Sequence, residues 1–336
     1  MMSILYLGNK LSDRGKTETT IEILSKNLRL EGFSVFTFSD QKIRLLRLLN
    51  MLYSILKFAN KVDYVLIDTY STLNFYYAYF VSQLCRIINL KYIPILHGGN
   101  LPNRLKSSPK LSRAIFKNAY KNIAPSNYIK TEFENFNYDN IICIPNAITL
   151  QNYHFNERKY ETVKLLWVRS FSKIYNPLLA IKILRSLIDD NIQAELCMVG
   201  PDIDGSLIEA KRYAKQLNVD VRFTGKMLKQ EWIALSEEYN IFINTTNFDN
   251  MPVSVIEAMA LGLPVISTNV GGIPYLIDNN KNGVLVEPNS PEAFVNAIKD
   301  LINSPEKTID LTKNARNSAE RFDWNNIKSQ WIKVFQ

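Results

Sequence analysis

Residues 244–272 read NTTNFDNMPVSVIEAMALGLPVISTNVGG, and the reading of this stretch organises the rest of the chain. It leaves an apolar run, Ile241 to Ile243, through a polar loop that carries Asp249 and Asn250. Pro252 has no N–H to lose and a φ suited to helix entry, so a helix is predicted to start there. Val255, Met259 and Leu263 then mark one face at helical spacing. Gly262 and Pro264 end the helix, and PVIST reads as a buried strand. Two carboxylates, Asp249 and Glu257, bracket the loop and the first helical turns, with exposed N–H groups between them. A helix N-terminus favours anions and carboxylates favour hydroxyls, so the loop suits a ligand that carries both phosphate and sugar. A purely structural reading exists as well. Ser254-Val-Ile-Glu257 fits a capping box, and Asp249 would serve as a turn residue.

Outward from this stretch the C-terminal half alternates strand and helix. VKLLWVRS, AELCMVG, VRFTGK, IFINTT, PVIST and GVLVE read as strands, separated by NPLLAIKILRSLIDD, SLIEAKRYAKQLN, EWIALSEEY and the focal helix. Such alternation specifies a parallel, doubly wound sheet whose ligand lies outside the strand C-termini. Arg169, Gly200 and Asp249 all fall at such ends. Residues 147–162 are polar and aperiodic and read as an interdomain linker. Before them a second alternation runs through strands at 3–8, 33–39, 64–70 and 91–96, with NIAPSN and IICIPNAI as strand-plus-turn units. At 336 residues the chain suits two domains of ~150 residues each.

Composition narrows the class. The chain is 46% hydrophobic with 17 Tyr and 17 Phe, which excludes disorder. Its three cysteines (Cys85, Cys143, Cys197) are odd in number, far apart and set in apolar runs, so they read as thiols in a reducing compartment. MMSILYLG lacks the features of a signal peptide, and the expected location is cytoplasmic. Residues 1–150 hold 19 Lys/Arg against 10 Asp/Glu, whereas the remainder is nearly neutral. That asymmetry predicts an anionic partner for the first half. A membrane surface or phosphorylated lipid fits better than nucleic acid, for which no recognition module is visible. QKIRLLRLLNMLYSILKFANK (41–61) reads either as an interfacial helix or as a packed helix with a solvated basic edge; the packed reading is preferred.

Two tempting motifs fail. Gly15-Lys16-Thr17 precedes a helix, but the first glycine of a phosphate loop would fall at Lys10. Asp202-Ile203-Asp204 has the form of a metal-binding pair, yet it follows Gly200-Pro201 and precedes a helical run, where Asp is a good cap. No metal and no cofactor are expected.

The focal stretch resembles a known family. Asp249 and Glu257 have seven residues between them and EAMALGLPVISTNVGGIPYLI follows. This is similar to the E-x7-E segment of the family-4 retaining glycosyltransferases, with Asp in place of the first Glu. The resemblance implies the GT-B fold: two doubly wound Rossmann-like α/β domains facing a central cleft, with a C-terminal helix crossing back to the first. The boundaries expected here are 1–155 for the N-terminal acceptor-side domain, 156–320 for the nucleotide-sugar domain and 321–336 for the returning helix.

The resemblance also assigns roles. Asp249 faces the donor sugar and Glu257 holds the ribose hydroxyls. Arg169 and Lys173 clamp the diphosphate, and Arg169 also counts as catalytic. His97, in the segment KYIPILHGGN, faces the donor sugar. Gly15 stands near the donor phosphates, and Asn250, Met251, Pro252, Val253 and Met227 complete the expected donor-binding set. The implied activity is that of a metal-independent retaining hexosyltransferase. It would move a sugar from a nucleotide-diphosphate donor to a glycan or lipid-linked acceptor in surface polysaccharide assembly, with an anionic membrane surface as a further partner. A nucleotide-sugar epimerase, a glycosidase and a non-catalytic sugar-nucleotide-binding homologue are the rival readings.

Overall fold

The computed structural model describes residues 2–8, 19–38 and 43–336. They divide into two compact units, Met1–Ala147 with Trp324–Gln336 and Ile148–Asp323. Unit 1 is built on β1 (Ser3–Leu7), β2 (Ser34–Phe38), β3 (Tyr64–Thr69), β4 (Lys91–Leu96), β5 (Asn122–Ala124) and β6 (Ile141–Cys143), in the order β2-β1-β3-β4-β5-β6. All neighbouring pairs are parallel. Every residue of β3 is buried, the apolar run Tyr64 to Ile67 because helices cover both faces and Asp68 and Thr69 at its polar end.

α1 (Thr20–Leu30) starts at a capping box in which the Thr19 N–H and hydroxyl both donate to Glu22 Oε2. α2 (Arg44–Phe58), α3 (Phe75–Ile87), α4 (Leu101–Ser107), α5 (Pro109–Phe116) and α6 (Asn127–Asn135) share one core with the sheet through residues such as Met51, Ile55, Phe75, Val81, Ile115 and Ile129. The sequence reading anticipated none of α4, α5 and α6. Their sequences are short and polar, and α6 buries only Ile129 and Phe133.

Unit 2 repeats the plan. β7 (Val163–Val168), β8 (Ala194–Val199), β9 (Arg222–Gly225), β10 (Ile241–Asn244), β11 (Val265–Thr268) and β12 (Val284–Val286) form a parallel sheet in the order β12-β11-β10-β7-β8-β9. Alternate residues of β7 face opposite layers. Leu165 and Trp167 join a core with α7 (Pro177–Asp189), α8 (Ser206–Gln216) and α11 (Pro291–Asn303). Leu166 joins one with α9 (Lys229–Leu235), α10 (Val253–Ala260) and α12 (Pro305–Glu320).

Two segments differ from the linker and boundary expectations. Residues 148–162 are a strap of unit 2: Ile148 and Tyr153 are buried, and the Arg158 guanidinium donates to the carbonyls of Ser236 and Leu261. The observed division therefore falls after Ala147, ahead of the expected 155. At the other end α13 (Trp324–Phe335) returns to unit 1, where Phe335 packs 5.2 Å from Phe33 and 5.4 Å from Tyr64, ring centre to ring centre. Trp324 Nε1 donates to Glu31 Oε1 across 3.1 Å and helps hold the helix there. The three cysteines are free thiols, Cys85 and Cys197 buried and Cys143 half-buried.

Candidate functional site

In the second sheet β7 and β10 are neighbours, and the chain leaves them in opposite directions, toward β8 and toward β11. This is a switch point, where the two loops part and open a crevice at the strand C-termini. Arg169 is the first residue beyond β7, and Asp249 lies in the loop beyond β10. The two side chains form an ion pair through Arg169 Nη2 and Asp249 Oδ2, leaving 13% and 15% of their surfaces exposed. The Arg169 guanidinium lies over the Tyr175 ring, 3.9 Å from its centre. Its Nε is buried and has no hydrogen-bond partner among the described residues. Arg169 thus carries a donor that no described residue fills.

The loop that carries Asp249 is braced on all sides. Trp167 Nε1 donates to Thr245 Oγ1 across 3.0 Å, and the Asn247 N–H donates to the Ile174 carbonyl across 2.7 Å. The Thr268 hydroxyl donates to the Thr246 carbonyl across 2.6 Å. Asp249 Oδ1 accepts from the Asn250 N–H at 2.8 Å, and the Asp249 carbonyl accepts from the Gly272 N–H at 2.9 Å. The Gly271-Gly272 turn is required by this approach. Gly271 has φ +55°, and a side-chain carbon on either glycine would collide with the backbone carbonyl of Asp249 or Asn250. Asn250 and Pro252 are buried, while Met251 and Val253 are half-buried against the core beneath the loop.

Glu257 has a different role from the one a capping box would give it. The helix starts at Val253 with Pro252 as its N-cap and no capping side chain, so Glu257 falls too far along to reach back. The Ser254 hydroxyl of the supposed box is buried with no partner among the described residues. The Glu257 carboxylate instead accepts from Tyr153 Oη at 2.7 Å and from Lys229 Nζ at 2.5 Å. Its side chain is 4% exposed, so the lysine balances a charge that burial alone would penalise. Met227 lies two residues before Lys229 and packs half-buried against the same core.

Lys173 is less tightly placed. It opens a short 3₁₀ turn, Lys173–Tyr175, and its side chain is exposed. Its backbone N–H donates to Asp204 Oδ2 across 3.0 Å. Asp204 also accepts from the Ser206 hydroxyl, which lowers its carboxyl to about 2 together with further bonds from Lys173 and Ser172. Asp202 Oδ1 accepts from the Gly205 N–H at 2.9 Å. Both aspartates therefore cap the entry to α8. Among the described residues no group of three or more His, Cys, Asp and Glu side chains is poised to hold a metal ion.

His97 belongs to unit 1, just beyond β4. Its Nε2 lies 2.8 Å from Asp68 Oδ1, and the same oxygen accepts from Tyr6 Oη at 2.7 Å. Burial, and then Asp68, raise the Tyr6 phenol well above its ordinary pKa, so it stays a donor. The Tyr70 ring packs 5.5 Å from the imidazole. Gly15 lies outside the described residues. Of the expected residues in unit 2, Arg169 and Asp249 meet directly, and Asn250 to Val253 connect Asp249 to the start of α10. Tyr153, Tyr175 and Lys229 escaped the sequence reading. Tyr153 was hidden in a segment read as linker, and no local spacing ties any of them to its partner.

The comparisons bear on this geometry. The family described as "Glycosyl transferases group 1" matches residues 151–318, half of the chain. The chain belongs to this family. Similar chains include spore coat protein SA of Bacillus subtilis, 27% identical over 51% of this chain and 48% of its own length. An uncharacterised glycosyltransferase of Methanocaldococcus jannaschii is 26% identical over 74% of this chain and 69% of its own. The chain spans about half the length of the first of these curated relatives, and less of others. Among solved structures, Alr3699/HepE of Anabaena in complex with UDP and glucose superposes with a TM-score of 0.81, at 18% identity and 99% coverage of both chains. The likeness extends over both units, and the architecture of this group 1 chain is GT-B.

Proposed function

We propose that the chain is a retaining glycosyltransferase that moves a hexosyl group from a nucleoside-diphosphate sugar to a glycan or lipid-linked acceptor. The observation that carries the reading is the Arg169–Asp249 pair at the switch point of the second sheet, with Arg169 Nε unfilled. A departing nucleoside diphosphate gathers negative charge, and a guanidinium held over Tyr175 is a fixed donor for it. The uncapped start of α10 adds backbone dipoles of the same sign. When a diphosphate engages Arg169, Asp249 is released from its ion pair to meet sugar hydroxyls. Glu257, fixed by Tyr153 and Lys229, offers its carboxylate to the ribose, and Met227 lies beside Lys229 as a donor contact. Lys173 supplements the charge on the diphosphate. His97, oriented by Asp68, acts in transfer at the sugar. In this reading the transfer is metal-independent, and Asp202 and Asp204 serve the entry to α8. Group 1 membership and the resemblance in residues 249–277 support this reading.

The test is a panel of nucleotide sugars, with UDP-glucose first because the Anabaena relative was solved with UDP and glucose. Thermal protection by one donor, with sugar transferred to a lipid or glycan extract in EDTA, is the expected result. Conversion of the donor without any acceptor would make the protein an epimerase. Protection without turnover under any condition would make it a binding homologue.

A further inference from the structure

α2 turns apolar residues both to the sheet and to solvent. Met51, Ser54 and Ile55 face the sheet and are buried, as a packed helix requires. The opposite face is not the basic edge expected of such a helix. Leu45, Leu49, Tyr53 and Leu56 are 65%, 53%, 61% and 59% exposed. At the helical turn of 100° per residue they fall within an arc of roughly 80°. α3, on the same side of the sheet, adds Tyr76, Phe80 and Ile87 to the exposed apolar side chains. α8, an outer helix of unit 2, exposes Glu209, Lys211, Arg212 and Lys215 with Ile208 as its one large exposed apolar side chain. A soluble outer helix rarely shows a leucine stripe unless something covers it.

The charge around the stripe says what that partner is. Between residues 41 and 131 the chain holds 14 Lys/Arg and only two acids, Asp63 and Asp68. Asp68 is buried and bound to Tyr6 and His97. Arg44, Lys57 and Lys61 are exposed on or next to α2, and Lys106, Lys110, Arg113 and Lys117 follow along α4 and α5. A leucine stripe on a helix that carries exposed cations at both ends, Arg44 and Lys57, fits a fluid apolar layer beneath anionic head groups. No helix among the described residues is long and apolar enough to cross a membrane, so the contact is one of lying on the surface.

We propose that α2 docks unit 1 on anionic lipid, with Leu45, Leu49, Tyr53 and Leu56 entering the interface and the surrounding lysines and arginines meeting head groups. The full-length protein is mixed with phosphatidylcholine vesicles, with and without phosphatidylglycerol, at low and high salt, and the sedimented fraction is read. The expected result is binding to the phosphatidylglycerol vesicles that weakens with salt. Leu49→Asp/Leu56→Asp and the milder Leu49→Ser/Leu56→Ser should keep the thermal midpoint and lose about tenfold or more in partition. Ile208→Asp on α8 should bind as the unaltered protein does. Absence of vesicle binding at low salt overturns the proposal, as does partition of the two double variants equal to that of the unaltered protein. A dimer that Leu49→Asp/Leu56→Asp abolishes, without vesicle binding, assigns the stripe to a second copy instead. No donor or acceptor enters this measurement, so its failure is distinct from failure of the transferase reading.

Discussion

The first residue beyond β1 is Gly8 and the first beyond β7 is Arg169. The two positions are equivalent, since each ends the strand that begins its sheet's alternation and lies beside the switch point. In each sheet the neighbouring strand supplies an aspartate, Asp68 within β3 and Asp249 after β10. In unit 2 a guanidinium fills the space next to the carboxylate. In unit 1 the strand end comes so close that a side-chain carbon on Gly8 would collide with Asp68. Asp68 turns instead to Tyr6 and His97, and the Asp68 and His97 side chains are only 2% and 7% exposed. One plan thus yields an exchangeable ion pair in one unit and a closed hydrogen-bonded cluster in the other. The first is suited to capture an anion and the second to hold an imidazole in one orientation.

The sharpest way to break this comparison is Arg169→Ala. It should lower sugar transfer or donor affinity about 10–100-fold, the equivalent of ~1.5–3 kcal/mol for a charge-assisted contact. Near-normal kinetics from a folded variant would leave the pair a structural tie. Gly8→Ala tests the other side, by forcing a methyl group against Asp68. Denaturant unfolding should report a loss of about 1–3 kcal/mol, as for other overpacked sites; unchanged stability would mean that the close approach is not required. Asp68→Asn keeps the shape and removes the charge that orients His97. Transfer should fall roughly tenfold while protection by the donor persists, and a parallel loss of donor binding would place Asp68 in binding instead. The smallest effect is expected from Tyr175→Leu, which removes the ring beneath Arg169. A cation–π contact at a partly exposed site accounts for about 0.5–1 kcal/mol, a few-fold in donor affinity by calorimetry.

Much of the fold could be read before any coordinates. Buried strands such as YVLIDT and VKLLWV are apolar runs too short for helices, and Gly262-Leu263-Pro264 closes the focal helix close to the expected place. The elements that were missed, α4 to α6, are too short for periodicity to single out, and they fold by packing Leu105, Phe116 and Phe133 into the layer's core. The capping-box alternative for Glu257 failed through a shift in helix start. A serine and a glutamate three residues apart look alike whether the helix starts one residue before the serine or one after it.

What the sequence determined by itself is what period and local chemistry can encode: two alternating α/β halves, the loop with Asp249, the helix that follows it and the Gly-Gly turn beneath. What only the tertiary structure decided is which distant groups meet. Arg169 and Asp249 are 80 residues apart, Tyr153 and Glu257 are 104 apart, and Asp68 and His97 are 29 apart. No local pattern constrains those distances; strand order does, by bringing separate strand ends to one edge. The same holds for α2. RLLRLLNMLYSILKF carries leucines around much of the helix, so its periodicity cannot say which face turns inward. The sheet beneath it chose Met51 and Ile55, and left Leu45, Leu49, Tyr53 and Leu56 on the outside.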